Sequence, residues 1–138
     1  MKSMTIDTPA ISSLGRNIQS AADLIELGMY REALEILDRL PEEMRQANAA
    51  KRATVKAAAA LGKWQRALDL ALALRHGNEA DRKEAASAFH ALAAEACKQG
   101  RDQDARKLIA AAVSTHVEEL PQIMADERFP QKFRNHLA

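Results

Sequence analysis

The chain has 138 residues, a formal net charge of +1, 28% charged and 4% aromatic side chains, and 29 alanines. That is one domain's length, enough for a real core. Scarce Val and Thr exclude a sandwich or barrel, and 47% hydrophobic content with balanced charge excludes a wholly disordered chain. Abundant Ala and Leu, both strong helix formers, predict an all-α domain. The near-zero net charge gives no general attraction to nucleic acid or anionic lipid. A single cysteine, Cys97, allows neither an internal disulfide nor a zinc motif and fits a reducing, cytoplasmic setting. Met1 to Ala10 lacks the apolar stretch of a secretory signal, and no run of about 18 apolar residues predicts a membrane span.

In chain order, residues 1–11 read as a flexible arm broken at Thr8-Pro9, and residues 12–138 as one helical repeat domain. Ser12 or Ser13 is placed to cap a first helix running to about Leu27. A partner helix follows from Tyr30 to Leu40, stopped by Pro41. A second hairpin spans about Pro41 to Leu74 and a third about Asp81 to Val117. Pro121 to Arg128 and Pro130 to Leu137 read as short helices with proline near the start. Their Ile123, Met124, Phe129, Phe133 and Leu137 are expected to cap the open end of the last hairpin.

Three segments repeat one pattern: Gly28-Met29-Tyr30-Arg31-Glu32-Ala33, Gly62-Lys63-Trp64-Gln65-Arg66-Ala67 and Gly100-Arg101-Asp102-Gln103-Asp104-Ala105. Ala33 and Ala67 lie 34 residues apart, Ala67 and Ala105 38 apart. The four extra residues are assigned to the loop around Arg75 to Glu79, where insertion costs little. In each unit the glycine is suited to a left-handed helix C-cap. Downstream residues recur at i, i+4 and i+7: Ala33, Leu37, Leu40; Ala67, Ala71, Leu74; Ala105, Ile109, Ala112. These share one helix face. Tyr30 and Trp64 are expected to wedge between hairpins.

This period and the glycine-x-aromatic-x-x-alanine pattern resemble the tetratricopeptide repeat family, over roughly Leu14 to Val117. Ala21 and Ala93 also stand where that family takes a small residue. Val55, Asp102 and the early Pro41 depart from its pattern. The resemblance implies an α-solenoid of three antiparallel hairpins with a concave groove lined by the first helix of each. The groove residues it implies are Ile18, Ala22 and Ile25; Ala49, Arg52, Lys56 and Ala59; and Ser87, His90, Ala94 and Cys97. Some family members clamp a chaperone's terminal carboxylate with Lys, Arg and Asn. Here those positions are Ile18, Ala22, Ala53, Ser87 and Ala91, so that activity is not expected. In size and groove character the chain is also similar to bacterial type III secretion chaperones that cradle a needle subunit's terminal helix.

No catalytic constellation emerges. His90 and Cys97 are seven apart on one helix, two metal ligands at most. Cys97 lies near a helix C-terminus, where the dipole disfavours the thiolate. Gly62-Lys63 lacks a phosphate loop's spacing. No enzyme activity, cofactor or metal is therefore expected. The function expected is a protein-interaction module, a scaffold or chaperone, holding an amphipathic helix or extended peptide. Arg52 and Lys56 offer a basic wall to an acidic residue on that segment. Two alternatives stand beside it. Lys51, Arg52, Lys56, Lys63 and Arg66 form a basic cluster that an RNA-binding hairpin protein would use. Open repeat ends could also stack between copies as a homo-oligomer.

Overall fold

The computed structural model describes residues 17–135, and every described element is helical. The arm at residues 1–11, the caps Ser12 and Ser13, and Leu137 lie outside the described residues. Helix α1 covers residues 17–26. It is followed by α2 (Tyr30–Asp38), the single turn α3 (Glu42–Arg45), α4 (Asn48–Ala60), α5 (Trp64–Leu74), α6 (Glu79–Lys98), α7 (Asp102–Thr115), α8 (Glu119–Ala125) and α9 (Gln131–Asn135). None of the helices is long and apolar enough to cross a membrane.

The three repeat glycines make one turn three times. Gly28, Gly62 and Gly100 have φ of 78°, 74° and 76°. Each donates its N–H three residues back, to Ile25, Ala59 and Cys97. The next residue donates five back, to Leu24, Ala58 and Ala96, at 2.8–2.9 Å. This Schellman pair satisfies helix-end carbonyls that would otherwise lack partners. Only glycine enters the left-handed region without a Cβ penalty. A Cβ on Gly62 would stand 3.8 Å from Trp64 Nε1, an ordinary contact, so the cost of Gly62→Ala is in the backbone alone. The expected loss is about 1 kcal/mol in urea unfolding. A loss below about 0.3 kcal/mol would show that the turn relaxes out of this geometry.

All nine small or aliphatic positions of the repeat are buried: Ala33, Leu37, Leu40, Ala67, Ala71, Leu74, Ala105, Ile109 and Ala112. Helix α4 packs on α2, α5 and α6, while α6 packs on α5, α7 and α8. Two apolar clusters result. The smaller joins α1, α2 and part of α4 through Ile25, Leu34, Leu37, Ala50 and Ala57. The larger runs from Val55 and Ala58 of α4 through α5, α6 and α7 to Ile123, Phe129 and Phe133. Tyr30 is half-buried against the first and Trp64 against the second. Ile123, Phe129 and Phe133 are buried as the capping expectation requires, and Met124 is half-buried.

Several boundaries differ from the sequence reading. Helix α2 ends at Asp38, and Pro41 serves as the N-cap of α3 rather than the stop of α2. The first helix of the second unit breaks at Gln46-Ala47, where Ala47 turns extended with ψ 139°. Two of the four extra residues lengthen α5, which has 11 residues against 9 in α2, rather than the loop. Helix α6 begins at Glu79, two residues before the expected Asp81. Helix α7 ends at Thr115, and Pro121 falls inside the first turn of α8, where its missing N–H has no intrahelical partner to lose.

Candidate functional site

The first helices of successive units, α1, α4 and α6, line two hollows, and α6 with Trp64 of α5 borders a third. Ile18, Ala22 and Ile25 of α1 face Ala49, Arg52 and Lys56 of α4 around about 260 Å³. Lys56 and Ala59 then face Ser87 and Ala91 of α6 across about 70 Å³. Ala91 and Ala94 continue into a third hollow of about 430 Å³ with Trp64 and Arg128. Lys56 and Glu84 are shared by the first two, and Ala91 by the last two, so the three lie side by side in a row.

Nine of the eleven residues expected from sequence line these hollows; His90 and Cys97 do not. At 100° per residue those two lie about 60–80° round α6 from Ser87. His90 is 9% exposed and its ring faces α8, so it is not a groove residue. Cys97 is half-buried against the larger cluster. Burial and the Asp102 carboxylate push its thiol up, away from thiolate chemistry.

The basic wall is internally neutralised. Arg52 Nη1 donates to Asp81 Oδ1 at 2.5 Å, and Lys56 Nζ stands 3.4 Å from Glu84. Asp81 is 1% exposed and collects three further bonds. Asn48 Nδ2 donates to it at 2.8 Å and the Asn78 backbone N–H at 3.1 Å, while its own N–H donates to Asn78 Oδ1 at 2.9 Å. This is a capping box at the start of α6 that also bridges to the first turns of α4. Burial opposes its charge, but Arg52, the Asn78 N–H and Asn48 outweigh that and hold its carboxyl below the usual range. Gly77 supports it from behind. A Cβ there would lie 2.7 Å from Asp81 Cβ and 2.8 Å from Cγ, an approach no other residue permits.

Asp81, Glu84, Glu119 and Asp126 were not singled out from sequence. For Asp81 a signal existed, because Asn78-x-x-Asp81 has capping-box spacing at a helix start. The others meet partners 28 to 36 residues away, which no local pattern announces.

A hollow with a largely apolar wall lies elsewhere, on α7. It measures about 490 Å³ and is walled by Ile109, Val113, Leu120 and Phe133. Arg106 lies over the Phe133 ring, 4.6 Å from its centroid. Comparison with family models, with curated proteins and with solved structures finds no match to this chain.

Proposed function

We propose that the chain is a tetratricopeptide-like solenoid of three helical hairpins that binds a protein partner, holding an amphipathic helix or extended peptide along α1, α4 and α6. The observation that carries this reading is the row of three neighbouring hollows from Ile18 to Arg128, which we read as one groove. Its small floor residues admit a close backbone, and Ile18, Ile25 and Trp64 offer apolar area, worth about 25 cal/mol per Å² before the costs of association. The threefold turn and the nine buried repeat positions support the solenoid.

Charge pairing favours a protein over RNA as the occupant. Of the five cations in the basic cluster, Arg52, Lys56 and Arg66 are committed to Asp81, Glu84 and Asp38. Phosphate binding would have to displace those carboxylates. On this reading Arg52, held by Asp81, positions the groove, and an acidic residue of the partner would have to compete with Asp81 and Glu84 for the wall.

The test is co-purification from the native cell with mass spectrometry, using wild type, Ala22→Arg and Ala59→Arg. Both alanines are half-buried on the groove wall, so an arginine fills the space while its head reaches water. Partner capture is expected to fall at least tenfold in each variant with far-UV signal and melting unchanged. Capture that survives both changes would move the site off this groove.

A further inference from the structure

His90 is buried midway along α6, yet both ring nitrogens meet carboxylates. Nδ1 lies 2.7 Å from Glu119 Oε2 and Nε2 2.6 Å from Asp126 Oδ2. Glu119 is the first residue of α8, and Asp126 is the residue that ends it. One ring therefore grips α8 by both ends. Arg128 backs Asp126 with three side-chain bonds of 2.7–3.0 Å, and the Phe129 ring lies 5.5 Å from the imidazole.

A neutral imidazole has one N–H donor, and an imidazolium has two. Carboxyl oxygens stand at hydrogen-bond distance from both nitrogens, and only the doubly protonated ring meets each of them with an N–H donor. Loss of one proton would turn a lone pair against a carboxylate in a buried site, where an unmet polar group is costly. Within ion-pair distance, the ring meets only Glu119 of α8 and Asp126 of the following loop among the described residues, with Arg128 behind Asp126. Neither α4, α5 nor α7 adds an ion pair to it.

We infer that His90 is a proton-operated latch: charged, it clamps α8 and the loop after it onto α6; neutral, it lets them detach and uncovers the apolar surface they cover. Leu120 and Phe133 also wall the hollow on α7, so that hollow changes shape with the latch. Arg128 lines the far end of the groove, so the same release alters where the groove stops.

The pH direction follows from the partners. Burial opposes the charged ring, but the bonds to Glu119 and Asp126 outweigh it and raise its pKa above the ordinary 6.5. The contribution to stability is full below 6.5 and is lost as pH rises through the raised folded value. Arg128 first, against burial, and then His90 hold Asp126 far below the usual carboxylate range, so it stays ionised throughout.

The experiment uses the full chain. Ring-nitrogen NMR of His90 is followed alongside amide exchange protection factors of α8 and of α4, from below pH 6.5 upward. Protection of α8 is expected to fall by up to about tenfold per pH unit between 6.5 and the folded value, then level, with α4 unchanged. In His90→Gln, α8 protection is expected to be low already at the acid end and to lose this pH dependence. Flat α8 protection while the ring titrates, a ring neutral at every pH, or the same dependence in His90→Gln would each overturn the latch. The wild-type arms decide by themselves should His90→Gln not fold.

Discussion

Asp81→Ala is expected to lose about 3 kcal/mol of stability, near the lower end of the range for breaking a buried ion pair. The side chain is almost fully enclosed, and it joins three positions: Asn48 and Arg52 of α4, and the Asn78 cap of α6. Arg52 keeps 29% of its side chain in water, so the orphaned cation is partly resolvated, which places the cost low in the range. That figure includes about 1 kcal/mol of local cost from loss of the capping box at the start of α6. With an m-value of about 1.5 kcal/mol/M, the urea midpoint should drop by roughly 2 M. Asp81→Asn, which retains an acceptor without the charge, should fall between. A double-mutant cycle with Arg52→Ala isolates the pair. Coupling under about 0.5 kcal/mol would reduce the bridge to the worth of a surface pair. Because Arg52 lines the groove, Asp81→Ala should also weaken partner capture, even though Asp81 touches no partner.

Phe129→Ala is the second large effect expected, about 3–5 kcal/mol. Phe129 is fully buried on the loop after α8, against the His90 ring and the larger apolar cluster. The loop is anchored at Asp126 and has little freedom to collapse into the cavity. For a chain of this length the melting temperature should fall by roughly 10–15 °C. Phe129→Leu, which removes less volume, should cost less than half as much. Equal losses would mean that ring shape, not volume, is what the cap needs. No measurable loss would show that the cap is dispensable to the body of the fold.

Much of the architecture was legible because its signals are local. Glycine at a left-handed turn and alanine at a close helix crossing each mark their place by residue type. Gly28, Gly62 and Gly100 with Ala33, Ala67 and Ala105 therefore located the joints and the buried face correctly. The residues along the hollows, among them Ile18, Ala22, Arg52, Lys56 and Ser87, came from the resemblance to the tetratricopeptide repeat, position by position, and not from a local signal. The break at Gln46-Ala47 was not, as neither residue is a breaker and only packing decides it. His90 was misplaced because its environment comes from carboxylates 29 and 36 residues downstream. The true charge of the groove was hidden likewise: Arg52 and Lys56 read as open cations until Asp81 and Glu84 arrive from the next unit.

The division of the interior into two apolar clusters bears on how the molecule breathes. Helix α4 contributes Ala50 and Ala57 to the smaller cluster and Val55 and Ala58 to the larger, so it is the only described helix they share. Among the described residues the N-terminal cluster has eight buried members against eighteen, with no aromatic ring among them, and sub-global opening starts where burial is thinnest. That end carries Ile18, Ala22 and Ile25, one wall of the first hollow. A segment bound along the proposed groove would span both clusters and tie the looser to the firmer. Its binding would then be felt less as added contact than as slower unravelling of α1 and α2, making the rigidity of the N-terminal end a property of the complex rather than of the free chain.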